Sequence, residues 1–348
     1  MVGWHNEINK LKQSIKIYLN IYMTFVNYII TLIVLIGTGI IYDKYKIKNK
    51  IDDDVDNYEL IKKYLLNDSS LANAKKPILW VHINYEENAR HWHDFASRKS
   101  TDLNQPYLYL SISSIINHCG GSFNIVLIDD NTFNKILPGW SHELNTLPDP
   151  IKGHFRQLAL SQMLYNYGGM IVPPSFICMK DLIDLYYDGI EKTGMFVGEC
   201  VNKNVTSQYG VSNFYTTTSF MGCKKENPYI QDLIKHIEIL ISNDYTDEMN
   251  FQGKISSMCN KLVLEHKATL IDGCDLGIKT TRNEPIAVDD LLGNSYIKFK
   301  KNIYGVYIPA DEILKRSKFE WFARMNINQV LNSDTIVGKL LLTNTLNR

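Results

Sequence analysis

The chain has 348 residues, enough for one large core or two smaller ones, and 45% of them are hydrophobic, which excludes a disordered chain. Thirty-seven Lys and Arg balance thirty-seven Asp and Glu, so no global basic field draws nucleic acid, and nucleic-acid partners are not expected. The six cysteines, at 119, 178, 200, 223, 259 and 274, make no C-x-x-C pair and no zinc-like spacing, so no metal cluster is expected.

After a tail of residues 1–16, no charged residue occurs from Ile17 to Tyr42. A bilayer core needs about 20 apolar residues in helix, so residues 17–42 are expected to cross a membrane as a signal anchor. A buried core helix seldom runs so long without a charged face, and no small-x-small site closes the run as in a cleaved signal peptide. Tyr18, Tyr22, Tyr28 and Tyr42 suit interfacial anchoring. Lys10, Lys12 and Lys16 precede the run, and Lys44, Lys46, Lys48 and Lys50 follow it; a literal count slightly favours a cytoplasmic C-terminal side. Residues 43–76 are charged and read as a stem. Asn67-Asp68-Ser69 and Asn204-Val205-Thr206 are N-glycosylation sequons, of a kind that an Asn-rich chain also supplies by chance.

The folded domain is expected over residues 77–348. Ile78 to Ile83 is a compact apolar run suited to a first, central strand, with Trp80 at its middle and His82 near its end. Apolar residues at helical spacing from Pro106 to Cys119 stop at Gly120-Gly121, and a second strand, Phe123 to Ile128, runs into Asp129-Asp130-Asn131. Strand, helix, strand in this length is a βαβ unit, and ligands of such units sit beyond the carboxyl ends of the strands. Asp129 and Asp130 therefore suit either a turn or N-cap, the plainer role, or catalysis.

The segment from His154 to Leu182 reads as helix, glycine stop, strand. Leu158, Ser161, Leu164 and Tyr165 share a helical face, Tyr167-Gly168-Gly169 ends the periodicity, and Met170-Ile171-Val172 enters a buried sheet that Pro173-Pro174 terminates. Either glycine can take the left-handed conformation that closes a helix. Further strands are expected at Met195–Gly198, within Asn213–Cys223 and at Ala268–Ile271. Asn227-Pro228-Tyr229 opens a helix with Ile230, Leu233, Ile234, Ile237, Leu240 and Ile241 on its apolar side. The aromatic segment Lys318–Met325 reads as packing that closes the domain, followed by an amphipathic helix from Gln329 to Leu342.

Tyr165-Asn166-Tyr167-Gly168-Gly169, with the Pro77-Ile78-Leu79-Trp80 opening, resembles the glycosyltransferases whose sugar-binding region carries a D-x-D motif and the related capsular polysaccharide synthesis proteins. The likeness covers about Pro77 to Tyr229. It implies an α/β, GT-A-like nucleotide-sugar-binding fold, a Rossmann-like central sheet flanked by helices, behind the N-terminal transmembrane helix. It also implies a type II arrangement, a nucleotide-sugar donor, and a glycan or lipid-linked acceptor. In an ungapped alignment the family's Ser-Asp falls on Arg156-Gln157, its Arg on Leu160, and its Asp-x-Asp on Pro173-Pro174-Ser175, so the charged half of the pattern is gone.

The D-x-D carboxylates hold a divalent ion against the leaving nucleoside diphosphate, and proline offers no ligand for Mn or Mg. Arg156 can in principle substitute guanidinium charge, which makes a metal-independent donor site; a water-facing or salt-bridged arginine is the plainer role. The resemblance thus nominates Trp80, His82, Arg156, Gln157, Tyr167, Gly168, Gly169 and Ser175 for donor binding. Secondary carboxylates are Asp129, Asp130, Asp181 with Asp184 on one helical face, and Asp289 with Asp290. Two functions fit: a membrane-anchored transferase, or a catalytically inactive relative serving as a binding or structural module at a membrane. No G-x-S-x-G elbow supports a hydrolase.

Overall fold

Ile78-Leu79-Trp80-Val81-His82 forms strand β1 (Ile78–His82), buried from Ile78 to Val81 and partly exposed at His82, with sheet neighbours on both edges. The computed structural model describes residues 76–83, 105–201, 214–243 and 248–346, all within one unit of the chain, Tyr64–Arg348. The expected membrane helix at 17–42, nearly all of the stem and both sequons lie outside the described residues. Among the described residues, no helix is long and apolar enough to cross a membrane.

Helix α1 (Tyr107–Cys119) connects β1 to the parallel strand β2 (Asn124–Ile128), which makes the expected βαβ unit. The buried face of α1 keeps part of the apolar periodicity, Ile112 and Ile115, and adds two serines. Ser111, Ile112, Ser114 and Ile115 are inward while Leu108 and Leu110 are half-buried, because Ser114 Oγ accepts the Cys178 amide at 2.8 Å and turns that face toward the next layer.

Helix α2 (Ile151–Tyr167) starts three residues before His154, with the His154 amide bonded back to Pro150 O at 3.2 Å. It feeds strand β3 (Gly169–Ile171), parallel to β1 on the side away from β2. Beyond β3 come β4 (Phe176–Cys178), α3 (Ile183–Glu191), β5 (Met195–Val201) and β6 (Phe214–Cys223). Helix α4 (Pro228–Ser242) begins as expected: Asn227 Oδ1 accepts the Tyr229 and Ile230 amides, and Pro228 gives up no donor there. Helix α5 (Glu248–Leu264) and strand β7 (Thr269–Ile271) follow, then β8 (Gly305–Tyr307).

The main sheet has the order β2-β1-β3-β6-β5-β7, and β4 pairs with β8 in a small second sheet. The fold is thus α/β, but the central sheet is mixed: β6 runs antiparallel to both β3 and β5. One hydrophobic cluster joins Trp80, Val126, Leu158, Met163, Leu233 and Phe251 between sheet and helices. A second gathers Tyr107, Ile177, Val306, Phe322 and Val337. The aromatic segment near the C-terminus packs as expected, with Phe319, Phe322 and Ala323 buried. The helix expected from Gln329 to Leu342 is broken into Ile327–Leu331 and α6 (Ile336–Leu346), because Ser333 Oγ bonds back to Val330 O and Thr335 Oγ1 accepts the Gly338 amide to start a new helix.

Candidate functional site

The chain passes from β1 through α1 to β2 on one side, then returns to β3 on the other. This reversal opens a crevice at the carboxyl ends of β1 and β3, the usual ligand position in such sheets. The Tyr-Gly-Gly stop sets its geometry. Gly168 has φ +71° and ψ −164°, and Gly169 has φ +94°. Gly168 is therefore not in the left-handed helical conformation; its positive φ with extended ψ is a region reserved for glycine. A Cβ on Gly169 would stand 2.1 Å from Ile78 O, so only glycine lets β3 lie this close to β1. Trp80 is fully buried and donates its indole N–H to Gly168 O at 3.0 Å, the plain core role. Tyr167 donates its hydroxyl to Ile136 O at 2.5 Å and packs beside Trp80.

At the ends of β1 and β2 three sequence candidates meet. His82 Nε2 lies 3.0 Å from Asp130 Oδ1, and Arg156 donates Nε to Oδ1 at 2.7 Å and Nη2 to Oδ2 at 2.6 Å. His82 stacks flat on Phe133 at 5.5 Å. Burial alone would push the Asp130 carboxyl up, but hydrogen bonds from His82 and Arg156, with their charges, hold it well below the usual carboxylate range. Asp129 makes a turn instead: its Oδ1 accepts the Thr132 amide and hydroxyl.

Gln157, the next residue of α2, reaches the opposite way. Its side chain donates to Thr218 Oγ1 and accepts from Gln252 Nε2 at 3.1 Å, tying α2 to β6 and α5. The contact falls on an irregularity in β6. Val197 pairs with Met221 and Gly198 with Thr217, so Thr218, Ser219 and Phe220 stand opposite no residue of β5. Such a bulge breaks the alternation of faces, and consecutive side chains from Tyr215 to Phe220 therefore line one cleft.

That cleft has a volume of about 680 Å³. Pro173, just past β3, forms part of its lip, with Phe176, Leu276 and Ile278 lining it beside the β6 hydroxyls Thr216, Thr217, Thr218 and Ser219. Helix α5 contributes Glu248, Met249, Gln252 and Ser256, and Tyr307 and Asp311 come from β8 and the short helix Ala310–Lys315 that follows it. Glu199 also lines it; Gly273 N and the Lys279 ammonium bond its Oε2 at 2.8 and 2.5 Å. Burial alone would push Lys279 down, but Glu199 and Asp272 hold it above the ordinary ammonium value. Burial first, then Cys200 and Asp311, raises the Tyr307 phenol well above its ordinary value, so it stays a hydrogen-bond donor at every working pH.

The remaining candidates are scattered. Ser175 is buried, with its carbonyl accepting the Ile308 amide at 3.3 Å. Asp181 precedes α3 rather than sharing its face with Asp184: Oδ1 accepts from Ser122 Oγ at 2.7 Å and from the Ile183 amide at 3.0 Å, whereas Asp184 is exposed beside Lys180. Asp289 pairs with Lys318 and Arg316 at the surface, and Asp290 accepts the Ala287 amide. Proline at 173 and 174 offers no ligand for a divalent ion, and among the described residues no group of three His, Cys, Asp or Glu is arranged to hold one. The carboxylates lining the cleft, from three separate elements, were missed by sequence reasoning; no local pattern marks them.

No family model matches the sequence, and no curated protein matches it. Among solved structures, the glycosyltransferase GlyE of Streptococcus pneumoniae TIGR4 aligns over 79% of this chain and 64% of its own, with 9% identity and a TM-score of 0.38. The galactosyltransferase LgtC, in complex with donor and acceptor sugar analogs, aligns over 76% of this chain and 95% of its own, with 12% identity and a TM-score of 0.37. The chain spans about half, 46%, of the apo form of GlyE, at 10% identity over 58% of this chain and a TM-score of 0.32. At these identities and scores no residue role is carried across.

Proposed function

We propose that this chain is a membrane-anchored, glycosyltransferase-like protein that binds a nucleotide sugar and a glycan or lipid-linked acceptor, with the saccharide in the cleft along β6. One observation carries the reading: the Gly168-Gly169 stop is pressed against β1 and delivers Pro173 to the lip of a cleft of about 680 Å³ lined by four consecutive hydroxyl residues. Hydroxyl, amide and carboxylate groups around an aromatic and aliphatic floor are what a polyhydroxylated ring needs, and the volume lies within the usual range for ligand sites. The uncharged run at 17–42 supports the anchor and a single-pass, type II location.

Transfer breaks the bond between the sugar's anomeric carbon and the diphosphate and forms one to an acceptor hydroxyl, whose proton must leave. The departing diphosphate needs positive charge. The Pro-Pro-Ser segment does not fit a divalent ion, so donor handling in this reading is metal-independent. A second reading, an inactive binding module, is favoured by one observation: two of the Arg156 nitrogens are already engaged by Asp130.

The test is a thermal-shift titration of the full-length chain with a panel of nucleotide sugars, each with and without Mn, followed by an assay for nucleoside diphosphate release. Ligand that binds the folded state alone raises Tm by mass action. A rise without metal and diphosphate release support the enzyme; a rise without release supports the binding module. No rise with any donor overturns the enzyme and makes the inactive module, binding or structural, the better reading.

A further inference from the structure

We infer that Cys119 and Cys178 are a disulfide-forming pair, joined when the chain folds in an oxidising compartment, and that the bond ties the βαβ unit to the small sheet beside the cleft. The inference stands apart from the glycosyltransferase reading and needs no sugar. Cys119 is the last residue of α1 and Cys178 the last of β4, and both side chains are fully buried as thiols. Their sulfurs lie 3.7 Å apart, although the two residues are 59 apart in sequence. The two elements are already held together beside them, by the Cys178 amide on Ser114 Oγ at 2.8 Å. The other cysteines are engaged elsewhere. Cys223 Sγ donates to Leu164 O at 3.4 Å and Cys274 Sγ to Thr280 O at 3.3 Å, Cys200 meets Tyr215, and Cys259 is buried in the cluster around Trp80.

A disulfide holds its sulfurs about 2.05 Å apart, so each must turn toward the other by less than about 1 Å. Both residues end an element, and Gly120-Gly121 follow Cys119 directly, where the backbone yields most easily. The reaction is thiol–disulfide exchange. One cysteine thiolate attacks the disulfide of oxidised glutathione, releasing one glutathione thiolate and leaving a mixed disulfide; the second cysteine thiolate then displaces the other glutathione. Two thiol protons and two electrons leave the protein, and one glutathione disulfide becomes two molecules of glutathione. In an oxidising compartment such a bond persists, whereas the cytosolic glutathione pool keeps thiols reduced. Burial first, then Cys119 beside it, raises the Cys178 thiol well above its ordinary value, so little thiolate exists in the folded chain and the bond forms while the chain is folding. Once formed, it anchors β4 close to Phe176, which pairs with Tyr307 of β8; both rings line the cleft.

The test is oxidative refolding of the full-length chain. Denatured, reduced protein is refolded with reduced and oxidised glutathione, remaining thiols are blocked with N-ethylmaleimide under denaturing conditions, and the unreduced digest is mapped by mass spectrometry. The expected map has one cross-linked species, joining the Cys119 and Cys178 peptides, with Cys200, Cys223, Cys259 and Cys274 all blocked. The oxidised chain should melt about 5–10 °C above the same chain held in dithiothreitol, because the bond closes a long loop in the unfolded state. In a Cys119→Ala/Cys178→Ala variant, Tm should not respond to dithiothreitol. Recovery of Cys119 and Cys178 as blocked thiols, or cross-linked to other cysteines, overturns the inference; so does an oxidised chain that melts no higher than the reduced one. The peptide map is read on the unaltered chain, so it decides the matter even where the double variant does not fold.

Discussion

Arg156 and Asp130, 26 residues apart, form a two-pronged ion pair, Nε to Oδ1 at 2.7 Å and Nη2 to Oδ2 at 2.6 Å, with both side chains largely shielded from solvent. The pair, with His82, pins the start of α2 to the ends of β1 and β2. One residue further on, Gln157 pins the same helix to the β6 bulge and α5. The α2 helix is thereby held on both sides of the crevice.

Arg156→Ala is therefore expected to cost stability, roughly 2–4 kcal/mol, by leaving a shielded carboxylate without its partner. Chemical denaturation of the single variants and of Arg156→Ala/Asp130→Asn checks this. The double variant should be less destabilised than the sum of the singles. A surface arginine would give additive, near-zero effects.

The acid side of the stability curve follows from the same carboxylate. The Asp130 pKa is lower in the folded chain than in the unfolded one, so its contribution is fully present above about pH 4 and is lost as pH falls through its lowered native value. Asp130→Asn should weaken the fall of Tm below about pH 4. An identical acid limb in the variant would show that other carboxylates carry it.

Gly169→Val should prevent folding or cost more than about 3 kcal/mol, since the added side chain meets Ile78 O inside the sheet at a positive φ. Circular dichroism and the melting temperature read this directly. An unaltered Tm would contradict the strand geometry.

Trp80→Phe keeps an aromatic ring in the core but removes the donor to Gly168 O. The expected cost is about 1–3 kcal/mol for the unsatisfied carbonyl and the altered packing. Nucleotide-sugar affinity, measured by the same thermal-shift titration, should be unchanged, because the indole is fully buried.

Gln157→Ala removes both bonds that tie α2 to β6 and α5 across the bulge. It should reduce the Tm rise that a bound saccharide produces while altering the apo Tm little, since the lost bonds are partly exposed. An undiminished rise would mean that the cleft holds its shape without this tie.

What the amino-acid sequence determined by itself is local. The Asn227-Pro228 helix start, the Gly168-Gly169 stop, the apolar β1 run and the βαβ order each depend on neighbours a few residues away, so periodicity and capping chemistry make them legible. Asp129 as turn former belongs to the same class, whereas Trp80, nominated for donor binding, was placed in the core by the tertiary structure. The tertiary structure alone decided the rest. Asp130 and Arg156 meet across 26 residues, Gln157 and Thr218 across 61, and Asp181 finds Ser122 across 59 instead of a helical neighbour. A bulge in β6 set three residues out of register and turned a strand that ought to alternate into a continuous cleft wall. Such contacts depend on which strands pair and in what register, and a residue's type and its near neighbours carry no record of either.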